Sequence, residues 1–262
     1  MRTVGPHFLV EPAAITGERV VLTGADAHHL AVVLRTAPGD PVSVADGHGA
    51  MLQTRVVANG REVVLRTVAT AEVPTPRPAL TVVHALPKGR KLDDVVQRLT
   101  EVGVDRLVPV HSARSQVRLD GDRAAKAVRR WRAVALAAAK QSRRPRVLQV
   151  DDVGEWGEVL AASSGGPGGA GGAGGTGGAN GMVLWEEAET PLRTCLDALL
   201  AGKASPGPQE LVLAIGPEGG LSAAEVQGSG LAPASLGDTI LRTETAALVA
   251  AALVLGALRR LG

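Results

Sequence analysis

The sequence is poor in cysteine, in aromatic residues and in long apolar segments. Its 262 residues contain one cysteine, Cys195, so an internal disulfide and a cysteine-based zinc cluster are both excluded. The main apolar run, Ala246 to Leu258, has 13 residues, whereas a membrane-spanning helix needs about 20. The first ten residues contain no apolar stretch typical of a secretion signal. These absences predict a cytoplasmic protein with no disulfide and no membrane partner.

Positive charge is concentrated in one part of the chain. The formal net charge is +2, but residues 111–146 contain eleven Lys or Arg and two Asp, which leaves −7 for the rest of the chain. A basic segment in an otherwise acidic protein indicates a polyanionic partner such as a nucleic acid. The alternative is a solvated helix face.

Residues 1–73 are predicted to form a separate β-rich domain. Short apolar segments such as RVVLTG, DPVSVADG and REVVLRTVAT, separated by Gly, Asp and Asn, are typical of a small barrel or sandwich. A helical turn is expected at ADAHHLAVVLR, with Asp26 as its N-cap. The three prolines of VPTPRPAL predict a linker at the domain boundary.

Residues 74–262 alternate between strand and helix patterns. ALTVVHAL, DRLVPVH, GMVLWEE and ELVLAIG are predicted strands, and KLDDVVQRLTEVGV, PLRTCLDALLA and the long basic segment are predicted helices. The alternation predicts an α/β domain with a largely parallel sheet. The final helix is apolar around most of its girth, which predicts burial on several sides, part of it in a dimer interface. Segment 163–181 has eleven glycines in nineteen residues and is predicted to be a flexible insertion.

Two glycine-containing loops follow predicted strands near the carboxyl terminus. In LVLAIGPEGGLSAAEV, Ser222 and Glu225 predict a capping box after the first loop. In LGDTILRTETAAL, Thr243 or Thr245 is expected to cap the final helix. Because open parallel sheets bind ligands at the carboxyl ends of their strands, the two loops are predicted to line one pocket. The alternative is a tight turn and an ordinary helix start, although that alternative gives Arg242 no role.

The histidines show no metal-ligand spacing such as H-E-x-x-H, and no G-x-S-x-G motif is present. Neither a metal site nor a serine hydrolase is therefore predicted.

Six motifs in a fixed order together resemble one protein family. They are HHLAVVLR, DGHG, LPKGRKLDDVVQRLTEVGVDRLVPVHSARSQVR, RWRAVALAAAKQSRR, AIGPEGGLSAAEV and LGDTILRTETAAL. The set is similar to the RsmE family of bacterial 16S ribosomal RNA (uracil-N3) methyltransferases, within the SPOUT superfamily. The resemblance implies a PUA-like β-barrel in residues 1–73 that helps to hold RNA. It also implies a SPOUT-type α/β domain in residues 74–262 with a carboxyl-terminal trefoil knot, S-adenosylmethionine as cofactor, and a homodimer.

The resemblance also assigns residues to the expected sites. The residues expected around S-adenosylmethionine are Leu184, Trp185, Gly216, Pro217, Gly220, Leu236, Gly237, Ile240 and Leu241. The basic residues expected to contact 16S ribosomal RNA are Arg35, Arg118, Arg129, Arg130, Arg132, Lys140, Arg143 and Arg144.

Methylation of uracil N3 requires removal of its proton and stabilisation of the resulting anion. Glu244 is the predicted base and Arg242 the predicted anion stabiliser, while Arg114 is a second candidate for base or phosphate contact. Two other functions stay open at this point. One is a non-catalytic RNA-binding or ribosome-assembly protein, and the other is a related SPOUT methyltransferase with another RNA target.

Overall fold

The computed structural model describes residues 5–163, 180–201 and 209–261, which fall into two compact units. The first unit comprises the chain up to Thr75 together with the separate segment Leu136–Val147. The second unit comprises Pro76–Ala135 and the chain from Leu148 onward. The sequence pattern assigns residues 136–147 to the second domain, whereas in the structure they belong to the first unit. The predicted glycine-rich insertion lies outside the described residues except at its two ends.

A six-stranded sheet forms most of the first unit. Its strands are β1 (His7–Leu9), β2 (Ile15–Thr16), β3 (Arg19–Leu22), β4 (Pro41–Ala45), β5 (Ala50–Ala58) and β6 (Val63–Glu72). Their order is β1-β4-β5-β6-β3-β2, and every pair is antiparallel except β1 with β4. Alternate residues such as Val20 and Leu22 are buried in one apolar core, as expected for strands with one covered face.

One short helix follows β3, namely α1 (Gly24–His28), and it continues as a π-helical turn over His29–Val33. Its N-cap is Thr23, so the prediction of Asp26 as the cap is wrong. Asp26 lies inside the first turn, where the helix dipole favours a negative charge, and its carboxylate accepts a hydrogen bond from Lys140 Nζ at 3.0 Å.

The second unit is built on a parallel sheet. Its strands are β7 (Ala79–Ala85), β8 (Arg106–His111), β9 (Gln149–Val150), β10 (Gly154–Glu155), β11 (Gly181–Leu184), β12 (Glu210–Ile215) and β13 (Ala232–Ala234). The order is β10-β8-β7-β12-β11-β13, with β9 also pairing with β8, and all of these pairs are parallel. The predicted parallel α/β arrangement is confirmed.

Helices alternate with these strands. They are α2 (Lys91–Val102), α3 (Gly121–Gln141), α4 (Trp156–Ser163), α5 (Leu192–Ala201), α6 (Ala223–Gly228) and α7 (Thr243–Ala257). In α2 the apolar stripe predicted from the sequence is buried, and the helix ends at Gly103 in a left-handed conformation with φ of 109°. The capping box predicted at Ser222 and Glu225 is present at the start of α6. Within the described ranges no helix is long and apolar enough to cross a membrane.

Candidate active site

A cavity of about 650 Å³ lies at the carboxyl ends of β11, β12 and β13. Its walls are the residues that follow these three strands, together with the first turn of α7. All nine residues predicted to surround a cofactor line it, namely Leu184, Trp185, Gly216, Pro217, Gly220, Leu236, Gly237, Ile240 and Leu241. The two loops that the sequence predicts in one pocket, 216–220 and 236–241, therefore lie together in the structure.

Two glycines of the first loop are required by its geometry. A Cβ on Gly216 would lie 2.8 Å from Cγ of Leu221, which is closer than real side chains pack. Gly220 has φ of 70°, a left-handed conformation that L side chains rarely adopt, and a Cβ there would collide with the carboxylate of Glu186. The loop therefore turns sharply enough to keep its backbone beside the cavity.

Thr243 joins the two loops. Its hydroxyl donates a 2.7 Å hydrogen bond to the carbonyl oxygen of Gly216, and Thr243 is buried. The expectation that Thr243 or Thr245 caps α7 is wrong, because Arg242 occupies the N-cap position and makes no side-chain cap. The Thr243 hydroxyl therefore binds the backbone of the first loop and does not cap its own helix.

His84, at the end of β7, lies beside Thr243. Its Nδ1 is 2.7 Å from the carbonyl oxygen of Ala85, which makes Nδ1 the donor, and its Nε2 is 3.4 Å from the Thr243 hydroxyl. Complete burial lowers the pKa of His84, although its hydrogen bonds and the charges of Glu218 and Glu244 oppose that shift. A neutral histidine thus supports the wall of the cavity, a role that its sequence position in a strand does not reveal.

Acidic side chains dominate the charge around the cavity. Glu186, Glu218 and Asp238 line it, against one basic residue, Arg242. Three carboxylates and one guanidinium leave an excess of negative charge, which favours a cationic ligand.

Lys91, from the first turn of α2, links two of the acidic residues near this site. Its Nζ is 2.9 Å from Oε1 of Glu218 and 3.7 Å from Oε2 of Glu244. Partial burial alone would raise the pKa of Glu218, but hydrogen bonds from Lys91 and from the backbone of Lys88 lower it overall. The same hydrogen bond raises the pKa of Lys91. Sequence reasoning missed Lys91, because 127 residues separate it from Glu218 and only the tertiary structure brings them together.

The three residues predicted to be catalytic occupy different positions. Arg242 is exposed and lines the cavity. Glu244 is not among the lining residues, and its Oε2 is buried without a hydrogen-bond partner in the described parts of the chain. Arg114 donates from Nη1 to the carbonyl oxygens of Gly219 at 3.2 Å and Leu221 at 3.5 Å, so it holds the outer side of the first loop.

Comparison with known proteins identifies the family. A model of the RNA methyltransferase domain matches residues 74–255. The chain is 36% identical to the ribosomal RNA small subunit methyltransferase E of Mycobacterium bovis, over 93% of this chain and 88% of that protein. It is 31% identical to the protein of the same name from Bacillus subtilis, over 87% of this chain and 86% of that one. The chain belongs to the ribosomal RNA small subunit methyltransferase E (RsmE) family.

Solved RsmE structures share the fold. The crystal structure of the Neisseria gonorrhoeae RsmE, bound to S-adenosyl methionine, matches with a TM-score of 0.73 at 25% identity, over 96% of this chain and 97% of that one. The family resemblance and the α/β methyltransferase fold predicted from the sequence are confirmed.

Four of the eight basic residues predicted to bind RNA are held in ion pairs in this RsmE chain. These pairs are Arg118 with Glu155, Arg130 with Asp93, Arg132 with Asp152 and Lys140 with Asp26. Arg129 is exposed on α3. Arg35, Lys140, Arg143 and Arg144 belong to the first unit, and the other four to the second. Part of the local positive charge is therefore compensated within each unit.

Proposed function

We propose that this protein transfers a methyl group from S-adenosylmethionine to N3 of a uracil in 16S ribosomal RNA. The observation that carries the proposal is the cavity formed by the loops 216–220 and 236–241, the segments that also carry the two most specific family motifs. The names of the Mycobacterium bovis and Bacillus subtilis relatives support a ribosomal RNA substrate. The cofactor in the Neisseria gonorrhoeae structure supports the methyl donor. The protein is proposed to act in the cytoplasm, because ribosomal RNA is found there.

The residues of the cavity fit this cofactor. The volume of about 650 Å³ lies within the range of 300–1,000 Å³ usual for small-molecule sites. Trp185 lines the cavity, and its buried indole N–H has no hydrogen-bond partner among the described residues, so a donor is available for a ligand acceptor. The excess of carboxylates suits a sulfonium and an ammonium group. Leu184, Leu236, Ile240 and Leu241 supply apolar walls for an adenosyl group.

S-adenosylmethionine supplies an electrophilic methyl group when bound. The protein has to hold the uracil in line with that group, remove the N3 proton and stabilise the imide anion. Arg242 lines the cavity and carries the positive charge for the anion. Glu244 does not line the cavity, and its buried Oε2 lacks a hydrogen-bond partner in the described chain, so its carboxylate accepts the proton only after the bound uracil gains access to it. Lys91 lies between Glu244 and Glu218 and places one positive charge beside both carboxylates. Arg114 positions the first loop.

The proposal also includes the features that the family resemblance implies, namely a trefoil knot, an RNA-binding domain and a homodimer. The segment from β12 through the loop 236–241 into α7 is the part of the chain proposed to form the trefoil knot that the family pattern implies. Residues 1–73 act as a PUA-like RNA-binding domain. Residues 74–262 form the SPOUT-type methyltransferase domain. The protein works as a homodimer, and the predicted basic residues, from Arg35 to Arg144, contact ribosomal RNA phosphates.

The test combines binding with turnover. The wild-type protein should bind S-adenosylhomocysteine in calorimetric titration and should transfer labelled methyl groups to 16S ribosomal RNA that lacks the modification. Mass mapping of the product should place the methyl group on uracil N3. A non-catalytic RNA-binding protein would show neither result, and a methyltransferase with another target would methylate a different position.

Glu244→Gln should bind S-adenosylhomocysteine like the wild type and should lose about 100-fold or more in turnover, as expected for removal of a general base. Glu101→Gln is the control and should keep wild-type turnover, because Glu101 is exposed on α2 and does not line the cavity. Equal turnover of Glu244→Gln and the wild type would remove Glu244 from the role of base.

A further inference from the structure

A second cavity, of about 380 Å³, lies in the same unit and shares no lining residue with the first. Three segments form it: the turn from β7 into α2, the loop after β8, and the first half of α3. None of the motifs used for the methyl-donor site explains it.

The floor of this cavity is apolar and rigidly held. Leu86, Leu92 and Trp131 line it and are buried. The indole Nε1 of Trp131 donates a 3.0 Å hydrogen bond to Oδ1 of Asp93, which fixes the orientation of the ring. Val117 and Leu119 also line the cavity and are only half-buried, so they present the apolar surface that a ligand can contact.

The rim of the cavity is cationic. Arg90, Arg123, Lys126 and Arg130 all line it. Arg90 and Arg130 each donate from Nε to Asp93, at 3.3 and 3.0 Å, so one carboxylate holds two guanidinium groups in place. Arg123 and Lys126 are exposed, and neither has an ion-pair partner among the described residues.

Asp93 therefore compensates only part of the charge. Four cations against one carboxylate leave an excess of positive charge around a small apolar pocket. Arginine binds phosphate through paired N–H groups, and nucleobases stack on aromatic and apolar side chains. A volume of about 380 Å³ lies at the small end of the range for bound small molecules, which suits one nucleotide better than a duplex.

We propose that this cavity binds one unpaired nucleotide of the substrate RNA, at a position other than the methylated uracil. The base lies against the half-buried side chains of Val117 and Leu119, above the buried floor, and its phosphate lies at Arg123 and Lys126. This site would fix the register of the RNA strand while the target uracil occupies the first cavity. The proposal rests on the proposed function for the identity of the RNA but not for the binding itself.

The first test measures binding of a single-stranded fragment of 16S ribosomal RNA to the full-length protein. Arg123→Ala/Lys126→Ala should weaken binding about tenfold. It should also reduce the slope of log K against log salt by about 0.7 for each phosphate that the double variant no longer neutralises. Arg61→Ala/Arg98→Ala is the control, since it removes two exposed arginines that do not line the cavity. S-adenosylhomocysteine affinity should be unchanged in both double variants, which shows that the first cavity is intact.

The second test locates the base. RNA carrying single 5-iodouridines should photo-crosslink within residues 117–131 at one position distinct from the methylated uracil, and the crosslink should decrease in Arg123→Ala/Lys126→Ala. Equal affinity of the two double variants, together with crosslinks only outside residues 86–131, would overturn the proposal. So would equally tight binding of polyglutamate or of duplex RNA at the same residues. A wild-type protein that fails to methylate but gives the crosslink within residues 117–131 would contradict the proposed function and leave this inference standing.

Discussion

His84 shows how a single residue ties the cavity wall to folding stability. It is completely buried, and burial lowers its pKa from the ordinary value of 6.5. In the unfolded chain it binds a proton as the pH falls through about 6.5, whereas in the folded protein it binds the proton only at lower pH. The unfolded state therefore binds more protons than the folded state in this range. Because of this difference, the free energy of unfolding decreases as the pH falls.

We predict that the wild-type protein loses stability between pH 7.5 and pH 5.5 more steeply than His84→Asn. The difference in slope has an upper limit of about 1.4 kcal/mol per pH unit, the value for one proton. The introduced amide can still donate to the carbonyl oxygen of Ala85, the partner of Nδ1. Urea unfolding at several pH values measures both slopes. His7, whose pKa is also lowered by burial, is present in both proteins and cancels in the comparison. Parallel slopes would show that His84 is not the titrating group.

At the scale of one element, the pairing of β11 with β12 depends on Gly181. It pairs with Val212 in parallel register, and a Cβ at position 181 would collide with the carbonyl group of Val212. Because β11 carries Leu184 and Trp185 to the cavity, an error in this pairing would also displace cofactor contacts.

We expect Gly181→Ala to lower the free energy of unfolding by about 1–3 kcal/mol, as overpacking usually does, and to weaken S-adenosylhomocysteine binding. Gly228→Ala is the control, because nothing lies within 4 Å of a Cβ at that position in α6. There, loss of backbone freedom in the unfolded state should give a change between zero and about 1 kcal/mol in the stabilising direction. Urea unfolding and calorimetry measure the two effects. A similar loss in both variants would mean that the close approach of β11 to β12 is not the cause.

At the scale of the whole molecule, exposed apolar side chains favour the proposed homodimer. Leu253 on α7 is 50% exposed and Ile240 is 89% exposed, although α7 buries Ala247, Ala250 and Val254 on its other side. Large apolar side chains left in water on an otherwise buried helix are typical of an interface.

We predict that the wild-type protein sediments as a dimer and that Leu253→Asp shifts it toward monomer, since a two-fold interface would bury the new charge twice. Val68→Asp is the matched control, because Val68 is 52% exposed on β6 in the first unit. Analytical ultracentrifugation measures the result. A monomeric wild type, or an equal effect of both substitutions, would contradict the proposed interface.

The sequence by itself determined the main helices and strands of the second unit and the apolar stripe of α2. Hydrophobic periodicity predicted α2, its buried stripe and its end at Gly103, because these features depend on side chains within a few positions of one another. That the loops 216–220 and 236–241 line one cavity was predicted from a general rule, because ligands bind at the carboxyl ends of the strands of a parallel sheet.

Only the tertiary structure decided which distant groups meet. Lys91 bridges Glu218 and Glu244, Asp93 holds Arg90 and Arg130 beside Trp131, and Thr243 bonds to Gly216 instead of capping its own helix. Residues 136–147 likewise belong to the first unit although the chain places them inside the second. Hydrogen bonds and ion pairs of this kind form between whichever donors and acceptors the sheet order brings within about 3 Å, and sequence separation carries no information about that distance.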